Sequence, residues 1–226
     1  MKAADFVTLP PSLALFAPFF PPEVAPWEWL KAIGPALAAF TFDAPLPPLP
    51  PGVHAEGSLW IHPTVKLPPY AVLVGPAYIG AGTQIRPGAW VRGNVIVGEG
   101  CVLGNACEYK NCLLLDRVET PHYNYVGDSI LGTRAHLGAG VICSNLRLDR
   151  GLVSVRSGDT VEPTGLRKFG AIVGDGAEVG CNAVLNPGTL LGRRALVGPA
   201  LAFGGVLPAG QMAKVRQTVL TVPRRE

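Results

Sequence analysis

Residues 79–103 read IGAGTQIRPGAWVRGNVIVGEGCVL. Ile79, Ile85, Val91, Val97 and Leu103 stand six apart, and Ile61, Leu67 and Leu73 carry the same register backward. A small residue often follows four places after the anchor, as at Ala71, Ala77, Thr83, Ala89, Cys101 and Cys107, and a turn former often follows it directly. A period of six suits neither the 3.6-residue helix nor the seven-residue coiled coil. It is the period of a parallel β-helix, in which each hexapeptide gives a short strand and a turn and three make one coil. Anchor and small residue point inward, and stacked coils bury a continuous apolar column. After a slip near residue 126 the pattern returns in LGTRAH, LGAGVI, VGDGAE, VGCNAV, LNPGTL, LGRRAL and VGPALA.

Composition agrees. Among 226 residues only 15% are charged, with 28 Gly and 23 Pro, yet 48% are hydrophobic, too many for a disordered chain. Net charge is +3, and the basic residues are spread along the chain, with Arg224-Arg225 a pair at the end, so no nucleic-acid stripe is expected. No apolar run is long enough to span a membrane and the prolines of the N-terminus make a poor signal peptide, so the expected location is the cytoplasm. Cys101, Cys107, Cys112, Cys143 and Cys181 are an odd set without zinc-knuckle spacing, read as reduced thiols.

Three units follow: an N-terminal arm and Pro-rich linker over 1–55, the β-helix over 56–210, and a tail over 211–226. In the arm, Trp27, Leu30, Ile33 and Leu37 fall on one face of a helix begun near Pro26, with Pro35 a kink or second start inside it. Residues 146–168 break the repeat and suggest a hairpin laid over the coils, expected to act as a lid or to touch a neighbouring copy. The β-helix should hold about four to five complete coils.

Polar chemistry concentrates in residues 121–145, PHYNYVGDSILGTRAHLGAGVICSN. Here Val126 and Leu131 are five apart rather than six. An imidazole such as that of His122 is the usual general base near neutral pH, and Asp128 or a backbone carbonyl could orient it.

This stretch resembles the acetyltransferase domain of the bacterial bifunctional N-acetylglucosamine-1-phosphate uridyltransferase / glucosamine-1-phosphate acetyltransferase, in the hexapeptide-repeat acyltransferase superfamily. The shared pattern is His122, Tyr125, Gly127, Asp128, Gly138-Ala139-Gly140 and Asn145. The resemblance implies a left-handed β-helix, acetyl-CoA as co-substrate, a sugar-phosphate acceptor, a role in UDP-N-acetylglucosamine synthesis and a homotrimer with sites between subunits. His122 would be the base, Tyr125 and Asn145 would hold the acceptor, and Lys110 would bind its phosphate with Arg92 or Arg86. Arg92 has the matching offset and Arg86 the matching RPG motif. Cys181 stands in place of a serine of the acyl-donor site. Ser144-Asn145-Leu146-Arg147 replaces that family's CNYDG, and its uridyltransferase domain has no counterpart here, so nucleotidyl transfer by this chain is not expected. The alternatives are a non-catalytic scaffold or regulatory subunit partnered with a separate nucleotidyltransferase, or an acyltransferase with another acyl group or acceptor. A γ-class carbonic anhydrase shares this type of β-helix, but its closely spaced histidine pair is missing from His54, His62, His122 and His136, so no metal is expected.

Overall fold

The computed structural model describes residues 1–216 and 220–224, so Arg225 of the basic pair and part of the tail lie outside the described residues. Short parallel strands wind into a left-handed β-helix with three walls. On the first wall eight strands stack in one ladder, from Gly52–Glu56 through Trp90–Arg92, Glu108–Leu114 and Tyr125–Leu131 to Ala202–Phe203. The expected four to five coils were therefore too few: two one-residue slips and one insertion hide the continuity of the register. The solenoid runs from Gly52 to Ala213, slightly wider at both ends than residues 56–210.

The interior is the predicted apolar column. Ile61, Leu73, Ile79, Ile85, Val91, Val97 and Leu103 all lie in it, with Cys101, Cys107 and Cys112 at the small positions and Cys143 at an anchor position in register with Val126. Burial pushes the thiols of Cys101 and Cys143 up to about 12, as expected for groups that cannot ionise without water.

The second wall differs from the first. On the first wall Trp90–Arg92 alternates exposed, buried, exposed. On the second, Ala77–Ile79, Val95–Val97, Ala171–Val173 and Thr189–Leu191 are buried at every position. The N-terminal arm covers its outer face. An α-helix at Glu28–Ala39 and a 3₁₀ segment at Pro11–Phe19 pack Phe16, Trp27, Leu30, Ile33 and Leu37 against the outward Tyr78, Ile96, Leu113 and Ile130. The α-helix continues through Pro35 without a second start. Polar staples hold the arm to the corner between the second and third walls. Thr8 donates its backbone N–H to Asp175 Oδ2 at 3.1 Å, Ser12 Oγ donates to Asp116 Oδ1 at 2.6 Å, and Arg193 Nη2 donates to the Ala4 carbonyl at 3.0 Å. Asp175 also pairs with Arg193, yet burial outweighs that attraction and raises its carboxyl above the usual range.

The insertion leaves the solenoid after Asn145 and returns at Phe169, whose N–H donates to the Asn145 carbonyl at 2.9 Å. A Leu146↔Lys168 bridge closes its neck, and Ser154–Ser157 pairs antiparallel with Thr160–Pro163. Val153 and Val155 are buried in the same cluster as the arm. The hairpin thus lies on the second wall of its own chain. No helix among the described residues is long and apolar enough to cross a membrane.

Candidate functional site

Register explains why the polar residues gather. Coils ordinarily advance 18 residues, as in Trp90↔Glu108, but Glu108↔Tyr125 and Tyr125↔Ile142 each advance 17. One residue is missing at Lys110-Asn111 and another at Gly127-Asp128, both at the corner between the first and second walls. The sequence slip at Val126–Leu131 is the second of these; the first went unread. Asn94, Asn111 and Asp128 occupy this corner at φ 52°, 47° and 47°. Asn and Asp tolerate that left-handed backbone better than most side chains.

Asp128 is the hub of the corner. Its side chain is 5% exposed and faces Lys110 across one coil. Lys110 Nζ donates to Oδ1 at 2.9 Å and Oδ2 at 3.1 Å, Asn111 Nδ2 donates to Oδ1 at 2.9 Å, and Asn145 Nδ2 donates to Oδ2 at 2.5 Å. Asn145 Nδ2 also donates to the Tyr125 hydroxyl at 3.1 Å. Burial first, and then the Glu108 carboxylate, push the Tyr125 phenol up, so it remains a neutral hydroxyl near pH 7. Four side chains from three successive coils therefore form one network around a carboxylate. Asn111 was not anticipated; its signal was an Asn 17 residues before Asp128, one short coil away.

The remaining candidates divide between the two edges of the first wall. Arg92 lies one coil before Lys110, stacks on Trp90 at 4.8 Å and pairs with Glu108 at 2.6 Å. Arg86 lies at the opposite edge, where Nη1 donates to the Pro121 carbonyl at 3.5 Å. His122 follows Pro121 on that edge. Its ring is exposed and makes no hydrogen bond among the described residues. Asp128 thus does not orient His122: its acceptor capacity is filled on the other corner. Cys181 shares the His122 edge. Gly140 donates its N–H to the His122 carbonyl, and Asn182 donates to Ala139, which sets Cys181 two coils along, roughly 10 Å at the usual strand spacing. Cys181 is the exposed thiol; the other four are buried. Between the edges the wall shows Tyr70, Val72, Trp90 and Ile142 to solvent.

Gly127 has a steric reason beyond turn geometry. A Cβ there would lie 2.4 Å from the Tyr125 hydroxyl and 2.8 Å from Asn145 Nδ2. The bare glycine lets the Tyr125 hydroxyl reach Asn145. Above Asn145, the neck of the insertion and Asn186-Pro187 enclose a depression of about 490 Å³ lined also by Ser144, Leu146 and Arg147. The insertion therefore borders the corner by its neck, while its hairpin packs elsewhere.

Comparison with known proteins gives a consistent picture. Residues 73–164 match the family described as "GMPPB C-terminal domain". The chain is 35% identical over 114 residues to the "Bifunctional protein GlmU" of Methanococcus vannielii, covering 50% of this chain and 27% of that protein. It is 29% identical over 190 residues to a "Bifunctional sugar-1-phosphate nucleotidylyltransferase/acetyltransferase" of Sulfurisphaera tokodaii, covering 84% of this chain and 47% of that protein. The chain thus spans less than half the length of these curated relatives. It resembles the hexapeptide-repeat acetyltransferase domain of such bifunctional proteins.

Proposed function

We propose that this hexapeptide-repeat protein transfers an acetyl group from acetyl-CoA to the amine of an amino-sugar phosphate. The observation that carries the reading is the first wall. It brings the exposed imidazole of His122, an exposed Cys181 at the matching acyl-donor position and the Tyr125–Asn145–Asp128–Lys110 network to the borders of one open face. The relatives' named activities, an acetyltransferase joined to a sugar-1-phosphate nucleotidylyltransferase, support the substrate class.

The chemistry requires little of the protein. A sugar ammonium gives a proton to His122, and its nitrogen attacks the thioester carbonyl. The tetrahedral adduct expels the CoA thiolate, which takes up a proton. Tyr125 and Asn145 hold the acceptor. Its phosphate is met by Arg86, beside His122, because Arg92 and Lys110 already carry carboxylate partners. Since the second wall is occupied by the chain's own arm, a homotrimer would pack through the other walls, and its mass by light scattering would be three times that of the chain.

The test is CoA-thiol release with a panel of amino sugars and their phosphates. Acceptor-dependent release is expected, falling about 10²–10⁴-fold in kcat for His122→Ala with the melting temperature nearly unchanged. Arg86→Ala should raise KM for phosphorylated acceptors and leave the unphosphorylated ones alone. A wild-type chain that releases no CoA with any acceptor would refute the reading. It would favour a scaffold working with a separate nucleotidyltransferase.

A further inference from the structure

The hydrogen bonds around Asp128 have a direction. A carboxylate only accepts, so each group facing it must present a donor. Lys110 gives two contacts, Asn111 one and Asn145 one, which fills the lone-pair sites of both oxygens. Asn145 is thereby turned amide-first. One Nδ2 hydrogen goes to Asp128 and the other to the Tyr125 oxygen, leaving Asn145 Oδ1 without a partner among the described residues. No buried side-chain N or O lacks a partner among those residues, so this free oxygen is open to solvent. Tyr125 accepts from Asn145 and keeps its own proton to donate. The pair therefore offers one acceptor and one donor, fixed in polarity by the Asp128 carboxylate.

We infer that Asp128 is a positioning residue: it sets Asn145 and Tyr125 as an acceptor–donor pair that reads a ring hydroxyl of the sugar, and it holds Lys110 as its counter-ion rather than leaving it as a phosphate anchor. The inference rests on the proposed sugar acceptor and deepens it. A hydroxyl both donates and accepts, so it satisfies Asn145 Oδ1 and the Tyr125 O–H together. A phosphate oxygen only accepts and would set negative charge against the Asn145 carbonyl. Lys110 has two of its contacts on Asp128 and is only 26% exposed, so the charge of the pair is cancelled within the wall.

Asp128→Asn tests this in the full-length chain. Asn is isosteric and tolerates the φ of 47° found here. Its amide has one acceptor oxygen and faces groups that donate, so Asn145 loses its imposed orientation and Lys110 its counter-ion. KM for the amino sugar should rise about 10-fold or more, with kcat within about 3-fold and an unchanged pH–rate profile. Lys110 labelling by acetic anhydride, read by mass spectrometry against the exposed Lys66, should increase about 10-fold. Asn145→Ser leaves the Asp128–Lys110 pair in place. It should raise KM similarly while Lys110 stays protected. An unchanged KM in both variants, or a loss confined to kcat with a displaced pH profile, would overturn the assignment. So would equal Lys110 labelling in wild type and Asp128→Asn. That labelling needs no turnover, so it decides the role of Asp128 even if no acceptor supports CoA release.

Discussion

Gly127→Ala puts one methyl group into the network without asking anything of the backbone, since Gly127 is not among the positive-φ glycines. The added carbon would sit 2.4 Å from the Tyr125 hydroxyl, 2.6 Å from its Cζ and 2.8 Å from Asn145 Nδ2. Ordinary contact begins near 3.4 Å, so the hydroxyl must retreat by about 1 Å and the amide by about half that. The Asn145–Tyr125 bond, already 3.1 Å, then exceeds hydrogen-bonding range. Losing one neutral hydrogen bond and straining the charge-assisted one to Asp128 costs about 1–3 kcal/mol, or a fall in melting temperature of about 2–10 °C for a chain this size. The effect on the acceptor should be larger than the effect on the fold, because a misplacement near 1 Å can cost about 100-fold where geometry sets the rate. Steady-state kinetics should show acceptor KM raised about 10-fold or more, with the KM for acetyl-CoA unchanged and normal β-helix circular dichroism. An alanine variant with wild-type acceptor kinetics would refute the placement of Tyr125 and Asn145 at the acceptor. A melting temperature lowered by more than about 15 °C would show that backbone, not side chains, takes up the collision.

Two further outcomes can be checked directly. Ellman's reagent should titrate one thiol per native chain, Cys181, and five after denaturation; saturating acetyl-CoA should slow the native reaction if Cys181 borders the acyl donor, and two or more fast native thiols would contradict the buried column. Asp175 has its folded pKa raised by burial, so the native state takes up this proton at higher pH than the unfolded chain does. Its contribution is therefore most favourable below the unfolded carboxylate value of about 3.9 and is lost as pH rises through the folded value. Urea melts across that window should show a shallower stability gradient for Asp175→Asn, and an identical gradient would refute the burial argument.

The period of six determined the architecture because it acts one residue at a time. Each apolar anchor must face inward whatever its neighbours do, so Ile79 through Leu103 specify the core without any knowledge of contacts. The covered second wall was also present in the sequence. AYI, VIV, AIV and TLL are apolar at both faces of a strand, which requires a cover, while WVR is not. The arm's helix face was legible for the same local reason. The polar site was legible only as a cluster of candidates. Asn111, Asp128 and Asn145 stand 17 apart, and their stacking depends on the two short coils, each one residue less than the ordinary 18. The first wall itself separates His122 from Asp128 by its width, though only six positions part them in the chain, as it separates Arg86 from Arg92 in an ordinary coil. Spacing along a strand fixes which way a side chain points. Which side chains meet across coils depends on the accumulated length of every turn between them, and only the folded solenoid adds those lengths up.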